Sequence, residues 1–222
     1  MKRTVGLALA LVAGLAAAGC SSSSGNGIAS ESVSQIQQSV EQAVNSASSV
    51  QINGNTVQSG KTVTFQVVTF SSGDFSGSLV QSGNSVMIEK IGANDYLNGS
   101  AGYYQAVGAS ASEASALGGI WVYGPDSQLG FGSSFTISSV VKSIKNPNGT
   151  LHKGSASTID GQAAFSVTSS KGGSLWVATT GKAYPIELDN SGTNGGTVKF
   201  ANWNQGTSPV VPAGAKAISS LG

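Results

Sequence analysis

Residues 158–189 read TIDGQAAFSVTSSKGGSLWVATTGKAYPIELD, in which short apolar segments alternate with turn sequences. Asp160-Gly161 and Lys171-Gly172-Gly173 favour the positive φ angles of tight turns, so each indicates a β-hairpin. Gly181-Lys182 indicates one more turn. We therefore predict consecutive antiparallel strands over residues 151–158, 163–168, 175–180, 185–189 and 197–203.

The preceding part of the chain shows a similar pattern. Residues 62–67 alternate strictly between polar and apolar, which is typical of a half-buried strand. Val68 and Phe70 then change the phase of the alternation, as a β-bulge or a bend would. Further short strands are predicted over residues 75–81, 85–91, 95–98 and 120–123.

Two stretches have the spacing of amphipathic helices. Apolar residues recur every three to five positions from Ile28 to Ala47, which predicts a helix over about 30–49, and Ser32 with Gln35 fits a capping box. Phe135 to Ile144 predicts a second helix from about Ser134 to Lys145, stopped by Asn146-Pro147. A short alanine-rich helix is expected within 109–117. This order of elements predicts an α+β fold with one curved antiparallel sheet and helices packed on one face.

The N-terminus has the layout of an export signal. A basic Met1-Lys2-Arg3 precedes an apolar run, and Ala17-Ala18-Gly19-Cys20 resembles a bacterial lipobox, although the usual leucine is replaced by Ala17. We expect a signal peptide over 1–19, a diacylated Cys20 that anchors the protein in a membrane, and a flexible Ser/Gly tether over 20–27. The alternative is an ordinary secretory signal that leaves Cys20 as a free thiol. About 200 residues follow, enough for one domain, which we place at 28–222.

Composition and motifs exclude several function classes. Only 9% of the 222 residues are charged and the net charge is +1, so a nucleic-acid-binding surface is not expected. His152 is the only histidine, which argues against a histidine-based metal site, and no G-x-S-x-G or phosphate-loop motif occurs. Glu187 and Asp189 are expected at a solvated strand edge. We expect no enzyme activity, no metal and no cofactor.

The elements resemble those of the LolA/LppX-like (LppX/LprAFG) family of bacterial lipoproteins. The resemblance rests on the lipobox cysteine, the first helix, and the motifs Asn94-Asp95-Tyr96-Leu97, Gly119-Ile120-Trp121-Val122 and Thr158-Ile159-Asp160-Gly161-Gln162. It also covers Gly102-Tyr103-Tyr104 and the strand–turn–strand segment 175–186. The resemblance implies an antiparallel half-barrel with helices on its concave face, and a role in carrying or sensing acylated lipids.

An apolar set in the predicted strands and helices could form either a solid core or a ligand cavity between sheet and helices. The sequence leaves both possibilities open. The cavity candidates are Phe65, Val67, Tyr96, Tyr104, Trp121, Phe135, Val140, Ile144, Phe165 and Trp176.

The resemblance and the apolar set together suggest a function. We expect an extracytoplasmic lipoprotein, held on the bacterial cell membrane by acylated Cys20, that binds an acylated lipid or glycolipid for transport in the envelope. The alternative is a non-catalytic envelope sensor of the same fold that contacts a partner protein. A hydrolase would require His152 beside a serine and a carboxylate.

The lipid anchor predicts a change in fractionation. Cys20→Ala removes the sulfur that would be acylated, so the variant should leave the membrane fraction or accumulate as uncleaved precursor. Fractionation and mass spectrometry of the N-terminus measure both outcomes. A fully processed variant that stays with membranes would contradict the anchor.

Overall fold

Twelve strands and five α-helices make up the described part of the chain, which covers residues 25–58, 60–130, 135–190 and 195–221 in a computed structural model. In chain order they are α1 (Val33–Asn45), β1 (Ser49–Gln58), β2 (Lys61–Phe70), β3 (Phe75–Gln81), β4 (Asn84–Ile91), β5 (Asn94–Gly99), α2 (Ala101–Ala106), α3 (Ala111–Leu117), β6 (Val122–Pro125), α4 (Asp126–Leu129), α5 (Ile137–Lys145), β7 (Leu151–Ile159), β8 (Gln162–Ser169), β9 (Ser174–Ala178), β10 (Pro185–Asn190), β11 (Gly196–Ala201) and β12 (Lys216–Ala217). The predicted signal peptide and Cys20 lie outside the described residues. No helix within the described ranges is long and apolar enough to cross a membrane.

All twelve strands belong to one sheet, in the order β12-β6-β5-β4-β3-β2-β1-β11-β10-β9-β8-β7. Strands β1 to β6 form one antiparallel meander and β7 to β11 form another, and the two are joined by antiparallel pairing of β1 with β11. The short β12 pairs parallel to β6 at one edge. The predicted α+β class with a curved antiparallel sheet is confirmed.

The helices cover one face of this sheet. Ile52 of β1 lies directly opposite Val67 of β2, and the two belong to neighbouring apolar clusters on the same face. The first cluster contains α1 and α5, and the second contains α2 and α3. We call this helix-covered side the concave face and the other side the convex face.

Glycines on the concave face allow the strands to curl closely. A Cβ on Gly77 would lie 2.7 Å from the Val67 Cα, and a Cβ on Gly54 would lie 2.9 Å from the Phe65 ring. A larger residue at either position would push β2 away from its neighbour. Glycine within a strand often marks such a close approach of backbones.

Helix α1 is fixed at its start and along its buried stripe. Ser32 and Gln35 form the predicted capping box, and Ile36, Val40 and Val44 are fully buried. The helix also contacts α5: the Gln37 side chain donates a 3.1 Å hydrogen bond to the Ile144 carbonyl, and Lys145 pairs with Glu41 at 2.5 Å. Since the polar contacts lie at the C-terminal end of α5, they fix that end against α1.

Several elements differ from the sequence-based expectations. A bulge or a bend was predicted at Val68 and Phe70, and the bulge is absent, because the register of β2 runs without a shift against both β1 and β3. The Phe70 side chain is nonetheless buried, with only 5% of its surface exposed. The C-terminal segment crosses the convex face there, and Gly206 lies against Val68 and Phe70. Strands β1 and β12 and helices α2 and α4 are additional elements that were not predicted.

The docking of α1 can be tested by charge insertion. Val40 is 0% exposed, so Val40→Asp would bury a carboxylate without a partner and should lower the free energy of unfolding by several kcal/mol, a large part of a typical 5–15 kcal/mol. The matched control is Gln38→Asp on the exposed side, where helix propensity alone predicts a loss below about 1 kcal/mol. Urea unfolding measures both. Equal effects would contradict the docking.

Candidate functional site

A cleft lies between helix α5, helix α1 and the concave face of strands β1 and β7 to β11. It has two adjoining lobes of about 310 and 190 Å³, and Ser143, Ile144, Leu175 and Leu188 line both. We call this space the central cleft, with an outer lobe of 310 Å³ and an inner lobe of 190 Å³. The outer lobe alone falls within the range of about 300–1,000 Å³ that is common for small-molecule sites.

The inner lobe is almost entirely apolar. Beneath α5 it is walled by strands β1, β2, β9, β10 and β11, and Ser139 and Ser143 of the helix supply its hydroxyl groups. The lack of a Cβ at Gly54 lets the Phe65 ring lie close to β1. The remaining side chains of the lobe are Ile52, Phe65, Phe135, Val140, Val198 and Phe200.

The outer lobe is polar at its mouth. Its lining includes the ends of β8 and β10 and the start of β9, and the polar residues there include Asn146, Asn148, Ser169, Ser174, Asp189 and Asn190. The Asp189 carboxylate accepts a 3.2 Å hydrogen bond from the Thr197 hydroxyl. Among the described residues, no lysine or arginine lines either lobe. Leu188 faces the cleft, so the neighbouring Asp189 directs its carboxylate to the convex face with Thr197, and the mouth offers uncharged hydrogen-bonding groups.

Phe135 separates the inner lobe from the second apolar cluster. Its ring centroid lies 5.7 Å from that of Phe65, which lines the lobe, and 5.8 Å from that of Phe75, which is buried in the second cluster. These are favourable tilted and edge-to-face distances. One ring thus closes the wall of the cleft and joins the two halves of the core.

The ten cavity candidates are distributed over several places. Phe65, Phe135, Val140 and Ile144 line the inner lobe. Val67 and Phe165 are buried on the concave face outside the cleft, and Tyr104 is buried between α2 and the sheet. Trp121 is half-buried just before β6, where its carbonyl accepts a hydrogen bond from the Lys216 backbone.

The other two candidates lie on the convex face. Tyr96 stacks on Tyr123 with ring centroids 5.5 Å apart, and Trp176 packs against a small cluster that includes Ile186.

The sequence did not indicate the aliphatic wall of the cleft, which includes Leu175, Leu188 and Val198. Leu175 could have been found from the alternation along β9, since it lies on the opposite side of the strand from Trp176.

The described residues contain no arrangement typical of catalysis. No group of three or more His, Cys, Asp or Glu side chains in the described ranges could hold a metal ion. His152 is exposed on the edge strand β7. Glu187 lies 3.7 Å from the Lys199 ammonium, which also pairs with Asp160 at 2.8 Å on the same face.

Glu89 is a half-buried residue on the convex face. In the register of β3, β4 and β5 it lies between Ser76 and Tyr96. Its Oε2 atom is buried and finds no hydrogen-bond partner within the described ranges. Burial raises the pKa of Glu89 above its ordinary value. The fold therefore disfavours ionisation of this group relative to the unfolded chain.

Comparison with solved structures identifies the fold. LprF from Mycobacterium bovis superimposes with a TM-score of 0.53 at 15% sequence identity, over 81% of this chain and 96% of LprF. An uncharacterized conserved protein from Thermus thermophilus has a TM-score of 0.42 at 11% identity, over 85% of this chain and 99% of its own. MucB, in a complex with MucA(peri), has a TM-score of 0.36 at 16% sequence identity, over 86% of this chain and 59% of MucB.

The match to LprF shows a shared fold. The other two matches have TM-scores below 0.5 and do not establish one. The LolA/LppX-like resemblance is thereby confirmed at the level of the fold. No protein-family model matches the chain, and no curated protein matches it significantly.

Glu89 predicts a pH-dependent stability effect. The pKa of Glu89 is higher in the folded than in the unfolded protein. Its contribution to the free energy of unfolding is therefore fully present below the unfolded-state pKa and is lost as the pH rises through the folded-state pKa. Glu89→Gln should therefore be more stable than the parent protein at pH 7, and the difference should vanish below about pH 4, where both states are protonated.

The matched variant is Glu113→Gln, because hydrogen bonds from Ser110 lower the pKa of Glu113. The contribution of Glu113 to the free energy of unfolding is present above its unfolded-state pKa and is lost as the pH falls through its folded-state pKa. Glu113→Gln should therefore be less stable than the parent protein at pH 7. Thermal unfolding from pH 3 to 8 tests both. The same sign for the two variants at pH 7 would contradict the assignment.

Proposed function

We propose that this protein is a membrane-anchored extracytoplasmic lipoprotein that binds an acylated lipid or glycolipid in the central cleft and carries it within the bacterial envelope. The observation that carries the proposal is the pairing of two adjoining, largely apolar lobes, of which the outer one also has asparagine and serine residues in its lining. Such a space suits a molecule with an acyl chain at one end and a hydrogen-bonding headgroup at the other.

The apolar lobe supplies the driving force for binding. Transfer of an acyl chain from water onto apolar side chains is favourable by about 25 cal/mol per Å² of buried apolar area. Val140 and Ile144 of α5 face Ile52, Val198 and Phe200 across the lobe, so a chain would contact both helix and sheet. No reactive group is needed for this step.

The mouth of the outer lobe favours an uncharged headgroup. Its asparagine and serine side chains can donate and accept hydrogen bonds, as hydroxyl-rich headgroups require. No lysine or arginine lines the described cleft to attract an anionic headgroup. A glycolipid with a neutral sugar fits these groups better than an acidic phospholipid does.

The proposal is tested by filling the inner lobe. Val140→Trp adds bulk at a lobe-lining position of α5 without adding charge, so it should abolish co-purification of lipid and leave the melting temperature nearly unchanged. The protein is purified from its native host and analysed by lipid mass spectrometry. Thermal unfolding of the same sample measures stability.

Val141→Trp is the matched control. Val141 is 8% exposed and adjacent to Val140, but it lies outside the cleft lining, so a tryptophan there should overpack the core and cost about 1–3 kcal/mol while bound lipid is retained. A lipid-free parent protein whose melting temperature falls with Val140→Trp would overturn the carrier function and favour the non-catalytic sensor.

A further inference from the structure

A second cleft lies at the β6 edge of the sheet. It has a volume of about 740 Å³ and lies between helices α2 and α3, strands β5 and β6, and the C-terminal residues 216–221. We call it the edge cleft. Its apolar lining includes Leu97, Leu117, Ile120, Val122, Leu129 and Ile218.

The edge cleft is separate from the central cleft. No described residue lines both spaces. The second apolar cluster lies between them: Phe135 packs against that cluster from the central cleft, while Leu97 and Val122 of the cluster line the edge cleft. A ligand in one cleft therefore leaves the other accessible.

Two apolar side chains of the edge cleft are exposed to water. Val107, at the end of α2, is 63% exposed, and Leu221 is 40% exposed. Both contribute to the lining. An apolar chain lying in the cleft would cover them and gain the free energy of their burial.

The charges of the edge cleft differ from those of the central cleft. Lys216 is an exposed lining residue whose backbone is fixed by a 2.9 Å hydrogen bond to the Trp121 carbonyl. Its ammonium group forms no ion pair within the described part of the chain. Lys216 is thus a cation beside an apolar cleft without an anion of its own.

Glu113 is the other charged residue of the lining, and it is already engaged. Its Oε2 accepts hydrogen bonds from the Ser110 backbone at 2.8 Å and from the Ser110 hydroxyl at 2.6 Å. These bonds form the capping box of α3 and lower the pKa of Glu113. The ionised carboxylate is therefore held at the start of its own helix, and the Lys216 ammonium group is available to pair with a ligand.

We propose that the edge cleft is a second binding site, for an amphiphile of fatty-acid size with an anionic headgroup. The chain lies against the apolar lining and the headgroup pairs with Lys216. A fatty-acid carboxylate and a lysophospholipid phosphate share this chemistry. The site is independent of the proposed central-cleft ligand, whose binding groups include no cation.

The test uses photo-crosslinking of the full chain in isolated membranes. The probe is a fatty acid with a diazirine in its chain and an alkyne for enrichment, and the labelled peptides are mapped by mass spectrometry. Labels should fall in residues 97–130 and 216–221. A probe with the same chain and a primary amine in place of the carboxylate should label these peptides several-fold less. A matching lysophosphatidate probe shows which anion is preferred.

Two variants connect the labelling to the edge cleft. Ala116→Trp fills the space and should abolish labelling of its peptides. Lys216→Gln removes the surface cation and should raise the probe concentration for half-maximal labelling about two- to fivefold, as expected for one exposed charge pair. Lys61→Gln, at an exposed position in the β1–β2 hairpin, is the charge control and should have no effect.

The outcomes separate this site from the central cleft. Labelling of the edge-cleft peptides should persist in Val140→Trp, whether or not that variant has lost its lipid. Labels confined to peptides of the central cleft, equal labelling by the amine and the carboxylate, or labelling unchanged in both Ala116→Trp and Lys216→Gln would overturn the proposal. Lys216→Gln changes only an exposed side chain, so its result does not depend on a repacked interior.

Discussion

The open apolar face of the sheet is the constraint on which the rest of the structure depends. Twelve strands curl far enough to create a concave face, but β7 and β12 remain as separate edges, so the face is not closed by strand pairing. Side chains such as Ile52, Val67 and Val177 would be exposed to water without a cover. The helices provide that cover, and their apolar stripes, capping boxes and mutual contacts all serve to hold them on this face.

The cover is made from two separate groups of helices, and this division determines where space remains. Helices α1 and α5 fit together closely because Gln37 bonds the α5 terminus and Glu41 pairs with Lys145. Beneath these two helices the packing against the sheet is less complete, and the central cleft lies there, with Gln37 in its lining. Helix α2 packs over β4 and β5, and α3 packs on α2, which leaves the edge cleft beside β6. Both clefts thus arise from incomplete burial of the same concave face.

Sequence periodicity predicted the elements better than it predicted the site. The hairpins of 151–189, the capping box at Ser32 and the stop at Asn146-Pro147 depend on neighbouring residues, and all are present. Strand β1 was missed because asparagine, glycine and glutamine interrupt its few apolar residues, and its position depends on pairing with β2 and β11. The change of phase at Phe70 indicated a bulge, whereas a distant C-terminal segment covers this side chain. The sequence also does not show which side of a strand faces the cleft. Trp176 and Leu175 are adjacent, yet only Leu175 lines the cleft, because the curvature of the whole sheet determines which face is concave.

The position of the N-terminal segment relates the clefts to the proposed anchor. The Asn26 amide donates to the carbonyls of Ala178 and Gly181, and its backbone N–H donates to Thr179, so the start of the described chain is fixed beside the end of β9. The mouth of the outer lobe lies at the other end of that strand, at Ser174. A strand of five residues separates the two by roughly 15 Å. The proposed anchor, attached through the segment that precedes Asn26, would therefore not itself hold the mouth against the bilayer. In the proposed carrier, attachment near one end of β9 and ligand entry at its other end would make exchange with the membrane and presentation of the headgroup to the aqueous side two orientations of the same molecule.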